Sequence, residues 1–100
     1  MTTQMFNPPH PGEFITETYL TPLGLTGRAL AARLAVSPST LARVLNGSSR
    51  VTPEMALRLA RVLGRSAESW LAMQDAYDLW TARLEVDVEG LRPVEFATSL

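Results

Sequence analysis

A hydroxyl residue is directly followed by proline at Thr21-Pro22, Ser37-Pro38 and Thr52-Pro53, and each of the last two pairs opens a stretch with apolar residues at three- and four-residue spacing. A hydroxyl caps a helix by accepting from an early backbone N–H, and proline suits the first helical position because no N–H is lost there. Thr26-Gly27 and Ser66-Ala67 supply two more cap signals. Four helix starts in so short a span require short helices joined by tight turns, and strand signals are almost absent before residue 84. The expected fold is therefore all-α.

The elements follow from these punctuation marks. Pro8, Pro9 and Pro11 lead into a first helix through Tyr19 or Leu20, closed by Thr21-Pro22-Leu23-Gly24. The second, Gly27 to Leu34, turns Leu30, Ala31 and Leu34 inward. After Ala35-Val36-Ser37 a third runs from Pro38 to about Leu45 on a stripe of Leu41, Val44 and Leu45, and Asn46-Gly47 stops it. The fourth begins at Pro53, with Glu54 favourable at the positive end of the helix dipole, and buries Ala56, Leu59, Ala60 and Leu63 before Gly64. In the fifth, from Ser66 to about Arg83, Trp70, Met73, Tyr77, Trp80 and Leu84 recur at spacings of 3, 4, 3 and 4, while Asp75 and Asp78 read as solvated charges. Leu84 to Glu89 alternates apolar and acidic residues, the pattern of a strand or an extended tail. The division expected is a domain over residues 1–83 and an acidic tail over 84–100.

Composition removes several classes of function. One hundred residues hold one modest core, and 46% apolar content suits a folded domain. No apolar run is long enough to cross a bilayer, and MTTQMFNPPHPGE lacks the basic start and hydrophobic stretch of a secretion signal, so a cytoplasmic protein is expected. Without cysteine there is no disulfide, thiolate ligand or thiol nucleophile. His10 is the single histidine, and its place before a helix reads as structural. No Ser/His/Asp set, phosphate loop or zinc spacing occurs, so neither an enzyme, a metal nor a cofactor is expected.

Charge is where the chain becomes specific. Net charge is only −1, yet residues 26–65 carry seven arginines against the single acid Glu54, and residues 66–100 carry two arginines against seven acids. Such segregation predicts separate binding surfaces. Residues 26–47 match a helix-turn-helix plan, in which one helix braces another so that its outer side enters a major groove. The early outward positions of the third helix are Pro38, Ser39, Thr40 and Arg43. Arg43 suits guanine O6 and N7, Ser39 and Thr40 suit bases or phosphates, and Ser37 is a cap compatible with a phosphate contact. Asn46, Ser48, Ser49 and Arg50 would follow the DNA backbone, with Thr26 and Arg28 at the start of the bracing helix. For each the plainer alternative is a solvated surface side chain, while Arg58, Arg61 and Arg65 read as solvent-facing or salt-bridge partners and not as DNA contacts. In the aromatic row Trp70 and Met73 read as core, while Tyr77, Trp80 and Leu84 suit a dimer contact. Pairing would place two reading helices about 34 Å apart on one face of a near-palindromic duplex.

The segment GLTGRALAARLAVSPSTLARVLNGSSRVTPEMALRLARVLG resembles the Cro/repressor-type helix-turn-helix domain. The flanks HPGEFITETYLTPLGL and RSAESWLAMQDAYDLWTAR resemble the HigA-type antitoxins, and the likeness covers His10 to Arg83. That resemblance implies a five-helix domain, a homodimer, binding to its own promoter and a HigB-type toxin that cleaves mRNA on ribosomes. Two positions depart from the pattern. Ala35 stands where glycine is preferred, at a cost of about 1 kcal/mol if the backbone is left-handed there, and Gly27 stands where a phosphate-contacting glutamine is common. A solitary regulator without a toxin, or a protein-interaction module with a basic face, are the competing readings.

Overall fold

The computed structural model describes residues 7–95, and within them five helices follow one another with no strand. Helix α1 spans residues 11–23 as three continuous stretches: α-helical Pro11–Ile15, a π turn Thr16–Leu20 and a last α turn Thr21–Leu23. Helices α2 (Gly27–Leu34), α3 (Pro38–Leu45), α4 (Pro53–Leu63) and α5 (Ala67–Glu85) complete the chain.

All four expected caps are made. Thr26, Ser37, Thr52 and Ser66 accept through their hydroxyls from the N–H groups of Ala29, Thr40, Met55 and Ser69 at 3.0–3.2 Å. Each satisfies an N–H that would otherwise lack an intrahelical partner, for about 1 kcal/mol. A fifth cap is made by His10, whose Nδ1 accepts from Gly12 N–H at 2.9 Å.

Two boundaries differ from the sequence reading. Helix α1 does not stop at Leu20 but continues to Leu23, ending where Gly24 turns left-handed at φ 61°. The widened π turn ends two residues before Pro22, whose ring would strike the carbonyl four residues back in a regular helix. Leu84 and Glu85 belong to α5 and not to an alternating strand; the helix propagates through good helix formers and stops at β-branched Val86. Beyond it Val86 is extended and a turn follows, with Leu91 N–H donating to the Val88 carbonyl at 3.0 Å, and no strand forms among the described residues. Residues 1–6 of the expected domain and 96–100 of the expected tail lie outside the described residues.

The core gathers Ile15, Leu30, Ala31, Leu41, Val51, Ala56, Leu59 and Trp70, all fully shielded from solvent. Leu34 and Val44 complete the inner faces of α2 and α3 that their spacing predicted. Gly12 explains how α1 reaches this core. Its backbone lies so close to the end of α3 that an added Cβ would overlap the Val44 carbonyl and the Leu45 backbone. Glycine is required there because two main chains touch.

Candidate nucleic-acid interface

The turn between α2 and α3 decides which side of α3 faces outward. Ala35 closes α2 in the left-handed region at φ 59°, the conformation for which glycine is usual. Val36 N–H donates to the Ala31 carbonyl at 3.0 Å, a second closing bond. Arg58 of α4 reaches the same place, donating from one guanidinium nitrogen to the carbonyls of Leu34 at 2.9 Å and Ala35 at 3.4 Å, while Glu54 holds its other edge at 2.9 and 3.2 Å. A cation at the negative end of α2 also complements the helix dipole. The sequence reading counted Arg58 among surface arginines. A salt bridge was among its expected roles, and Glu54 four residues earlier supplies it, but its clasp on the α2–α3 turn, 24 residues away, had no signal in the sequence.

With the turn so held, α3 buries Leu41 and Val44 and exposes Pro38, Ser39, Ala42 and Arg43. Thr40 is half-buried. The hydroxyls at the helix start are mutually ordered: Ser37 Oγ lies 2.8 Å from Thr40 Oγ1 and 3.3 Å from Ser39 Oγ, besides capping Thr40 N–H. A second polar group forms where α3 ends. Asn46 Oδ1 accepts from Ser48 N–H at 2.9 Å and from its hydroxyl at 2.6 Å, and Ser49 N–H donates to the Arg43 carbonyl at 2.9 Å. The expected readers therefore fall into two clusters, one at each end of α3, with the Arg43 side chain exposed between them. Thr26 and Arg28 are exposed at the start of α2. Among the described residues neither Arg28 nor Arg43 forms an ion pair.

Arg50 is placed differently from its neighbours. Its guanidinium donates to Asp78 at 2.7 and 3.1 Å and to Asp75 at 3.3 Å, so those two acids are not the plain solvated charges expected of them. The Asp78 hydrogen bond, against a smaller opposing effect of burial, raises the affinity of Arg50 for its proton. Burial alone would push the Asp78 carboxyl up, but hydrogen bonds from Arg50 and Gln74 outweigh it and hold the carboxyl below its usual range. A phosphate approaching Arg50 would compete with both carboxylates.

Gln74 is the residue that sequence reasoning missed. It is 1% exposed, accepts Val51 N–H on Oε1 at 2.7 Å and donates from Nε2 to Asp78 at 2.9 Å. It thereby ties the strap after α3 to α5. The signal available was its register, one helical turn after buried Trp70 on the same face. His10 joins the same cluster. Its ring meets Tyr77 edge-on at 5.0 Å. Burial pushes its pKa below the ordinary histidine value, against the opposing pull of Asp78, the Ser49 backbone and Glu13.

Of the residues expected at a dimer contact, Tyr77 is half-buried against His10, Trp80 is half-buried, and Leu84 is 69% exposed. No helix of the described residues is long and apolar enough to cross a membrane, and no group of three or more histidines and acids among them is placed to hold a metal.

Comparison with known proteins agrees with this geometry. Residues 17–70 match the helix-turn-helix family. "Virulence-associated protein I" of Dichelobacter nodosus is 50% identical over 70 residues, covering 70% of this chain and 65% of that protein, so the chain spans just under two thirds of that relative. "Antitoxin HigA-1" of Vibrio cholerae is 39% identical over 72 residues, covering 72% of this chain and 68% of the relative. A solved structure of the antitoxin GraA in complex with its operator superposes with a TM-score of 0.80 at 32% identity, covering 99% of this chain and all of that one. The family match over residues 17–70, the 39% identity to a HigA antitoxin and the superposition on GraA place this capped and braced helix pair in the Cro/repressor-type helix-turn-helix family, among the HigA-type antitoxins.

Proposed function

We propose that this chain is a DNA-binding repressor that acts as the antitoxin of a toxin–antitoxin pair and represses its own promoter as a homodimer, without enzymatic activity. The observation that carries the reading is the outer side of α3. Arg43, Ser39 and Pro38 stand exposed on a helix whose inner side is locked, and Arg43 has no carboxylate partner among the described residues. That is the condition for base readout, since a guanidinium already paired would have to be released first. GraA bound to its operator is a relative of the same fold, and the same use is proposed here.

In this reading Arg43 reads a guanine, while Ser37, Pro38, Ser39 and Thr40 border the bases. Thr26, Arg28, Asn46 and Ser48 contact phosphates, with Arg50 joining only if DNA displaces Asp75 and Asp78. Residues 1–83 form the DNA-binding unit and 84–100 an acidic tail, with Tyr77, Trp80 and Leu84 at the dimer contact. A HigB-type toxin is the proposed protein partner, and the cytoplasm the proposed compartment.

Titration of the chain with a duplex from its own promoter, at several salt concentrations, tests the proposal. Binding should weaken linearly on a log–log salt plot. Arg43→Ala should lose about 1–3 kcal/mol of discrimination at one position of each half-site while its circular dichroism stays unchanged. A variant that keeps parental affinity and base preference removes Arg43 as a reader. Absence of any binding at low salt removes the DNA reading itself.

A further inference from the structure

Eight large apolar side chains are strongly exposed among the described residues, and they fall into two groups of opposite charge. Leu23 and Leu57, 69% and 64% exposed, lie on two adjoining shallow grooves that share Arg33 and Val62 and continue to Arg61. The other six, Leu79, Leu84, Val86, Val88, Leu91 and Val94, lie on the end of α5 and the segment after it, interleaved with Glu85, Asp87 and Glu89. Neither Arg33 nor Arg61 forms an ion pair among the described residues. An isolated exposed leucine needs no explanation, but contiguous apolar surface rimmed by charge marks an interaction site.

We infer that the acidic, apolar segment from Leu84 to Glu89 of one chain seats in the Arg33–Leu57–Arg61 groove of a second copy. The complementarity is of two kinds at once. Val86 is extended, and in extended chain successive side chains point to opposite sides. Val86 and Val88 can thus share the side that meets Leu57 and Val62, leaving Asp87 to flank Arg33 and Arg61, with Glu89 following in the turn that Leu91 N–H closes on the Val88 carbonyl at 3.0 Å. The occupant is a second copy because the segment does not reach the grooves of its own chain: the molecule is elongated at 56 × 26 × 23 Å, Leu84 to Glu89 face only the last turns of their own α5, and no residue after Leu63 lines either groove. Reciprocal seating gives two equal contacts and closes at a dimer. The exposed readers Pro38, Ser39 and Arg43 are not part of the groove and stay available.

The inference rests on the reading that the chain pairs with itself, and the test separates the two. The sequence has no cysteine, so an introduced pair gives the sole disulfide. Full-length Leu57→Cys and Val88→Cys chains, one carrying a size tag, are mixed and mildly oxidised, with light scattering run in parallel. A mixed-size disulfide dimer is expected. Its yield should fall about tenfold when the Leu57→Cys chain also carries Arg33→Glu and Arg61→Glu, as like charges are brought together, and recover when the Val88→Cys chain carries Asp87→Arg and Glu89→Arg. A dimer by scattering without the mixed disulfide overturns the seating and leaves pairing intact. A double-cysteine chain that closes only on itself overturns the second-copy occupant. A monomer by scattering overturns both.

Discussion

The two halves of α5 obey the same three-and-four spacing yet live in different surroundings. In the first half Trp70 is fully buried, its indole N–H donates to the Gly64 carbonyl at 2.9 Å, and Gln74 is sealed against the strap after α3. In the second half Leu79 is 50% exposed and Leu84 more so, and Thr81 Oγ1 is the one buried side-chain polar atom without a partner among the described residues. Periodicity reports that a helix has an apolar side; it does not report how far along the helix the rest of the fold extends. The near half is cemented to the domain, and the far half is surface.

Substitutions at four positions would break or sharpen that contrast. The largest effect is expected at the foot of the near half's support. Gly12→Ala forces apart α1 and α3, and should cost about 3 kcal/mol or more in urea denaturation, since backbone atoms cannot move aside as a side chain can. Next, Gln74→Leu leaves Val51 N–H buried without an acceptor and should cost about 2 kcal/mol, whereas Leu84→Ser in the far half should change unfolding by less than about 0.5 kcal/mol. Equal costs at the two positions would show that both halves are embedded alike. Arg58→Ala, at the α2–α3 turn, should cost about 1 kcal/mol for the loss of its carbonyl contacts, and Arg58→Lys should recover only part of it because one ammonium cannot grip both Glu54 and the turn.

The smallest effect is a pH dependence. His10 has its pKa depressed in the folded chain, so the unfolded chain takes up a proton first as pH falls. Stability contributed by neutral His10 is complete above the unfolded value near 6.5 and declines as pH drops from there through the folded value. His10→Asn keeps a capping acceptor but cannot titrate, so its melting temperature should vary less between pH 7 and pH 5 than the parent's. An unchanged slope would place the acid sensitivity between pH 7 and pH 5 outside His10; Asp78, whose pKa is lowered, contributes stability that is lost only at more acidic pH, below the ordinary carboxylate range.

Much of the fold was legible because helix starts are local. Ser37-Pro38 and Thr52-Pro53 announce themselves within four residues, and α2, α3 and α4 begin and end where their caps and glycines indicated. The left-handed turn at Ala35 was legible as a departure from the family pattern. What escaped were features set by partners distant in the chain. Arg50 sits among polar loop residues and read like them, yet Asp75 and Asp78, 25 and 28 residues later, hold it. Gln74 drew no reading from its own stretch of sequence, because its partner, the Val51 N–H of the strap before α4, lies 23 residues earlier. The composition of the outer side of α3 was readable; the clasp from Arg58 that aims it was not.

The π turn in α1 makes chain length matter where chemistry does not. Ile15 and Leu20 both point into the core although they are five positions apart, a separation that in a regular helix would set them about 140° out of phase. The additional residue in the wide turn absorbs that mismatch. Removing one residue from 16–18 would leave a sound helix, but everything after the cut would swing by about 100°, carrying Leu20 off its seat. Substitution in this stretch should therefore be far better tolerated than deletion, and homologous chains are expected to hold the count of residues between HPGE and the first cap more strictly than their identity.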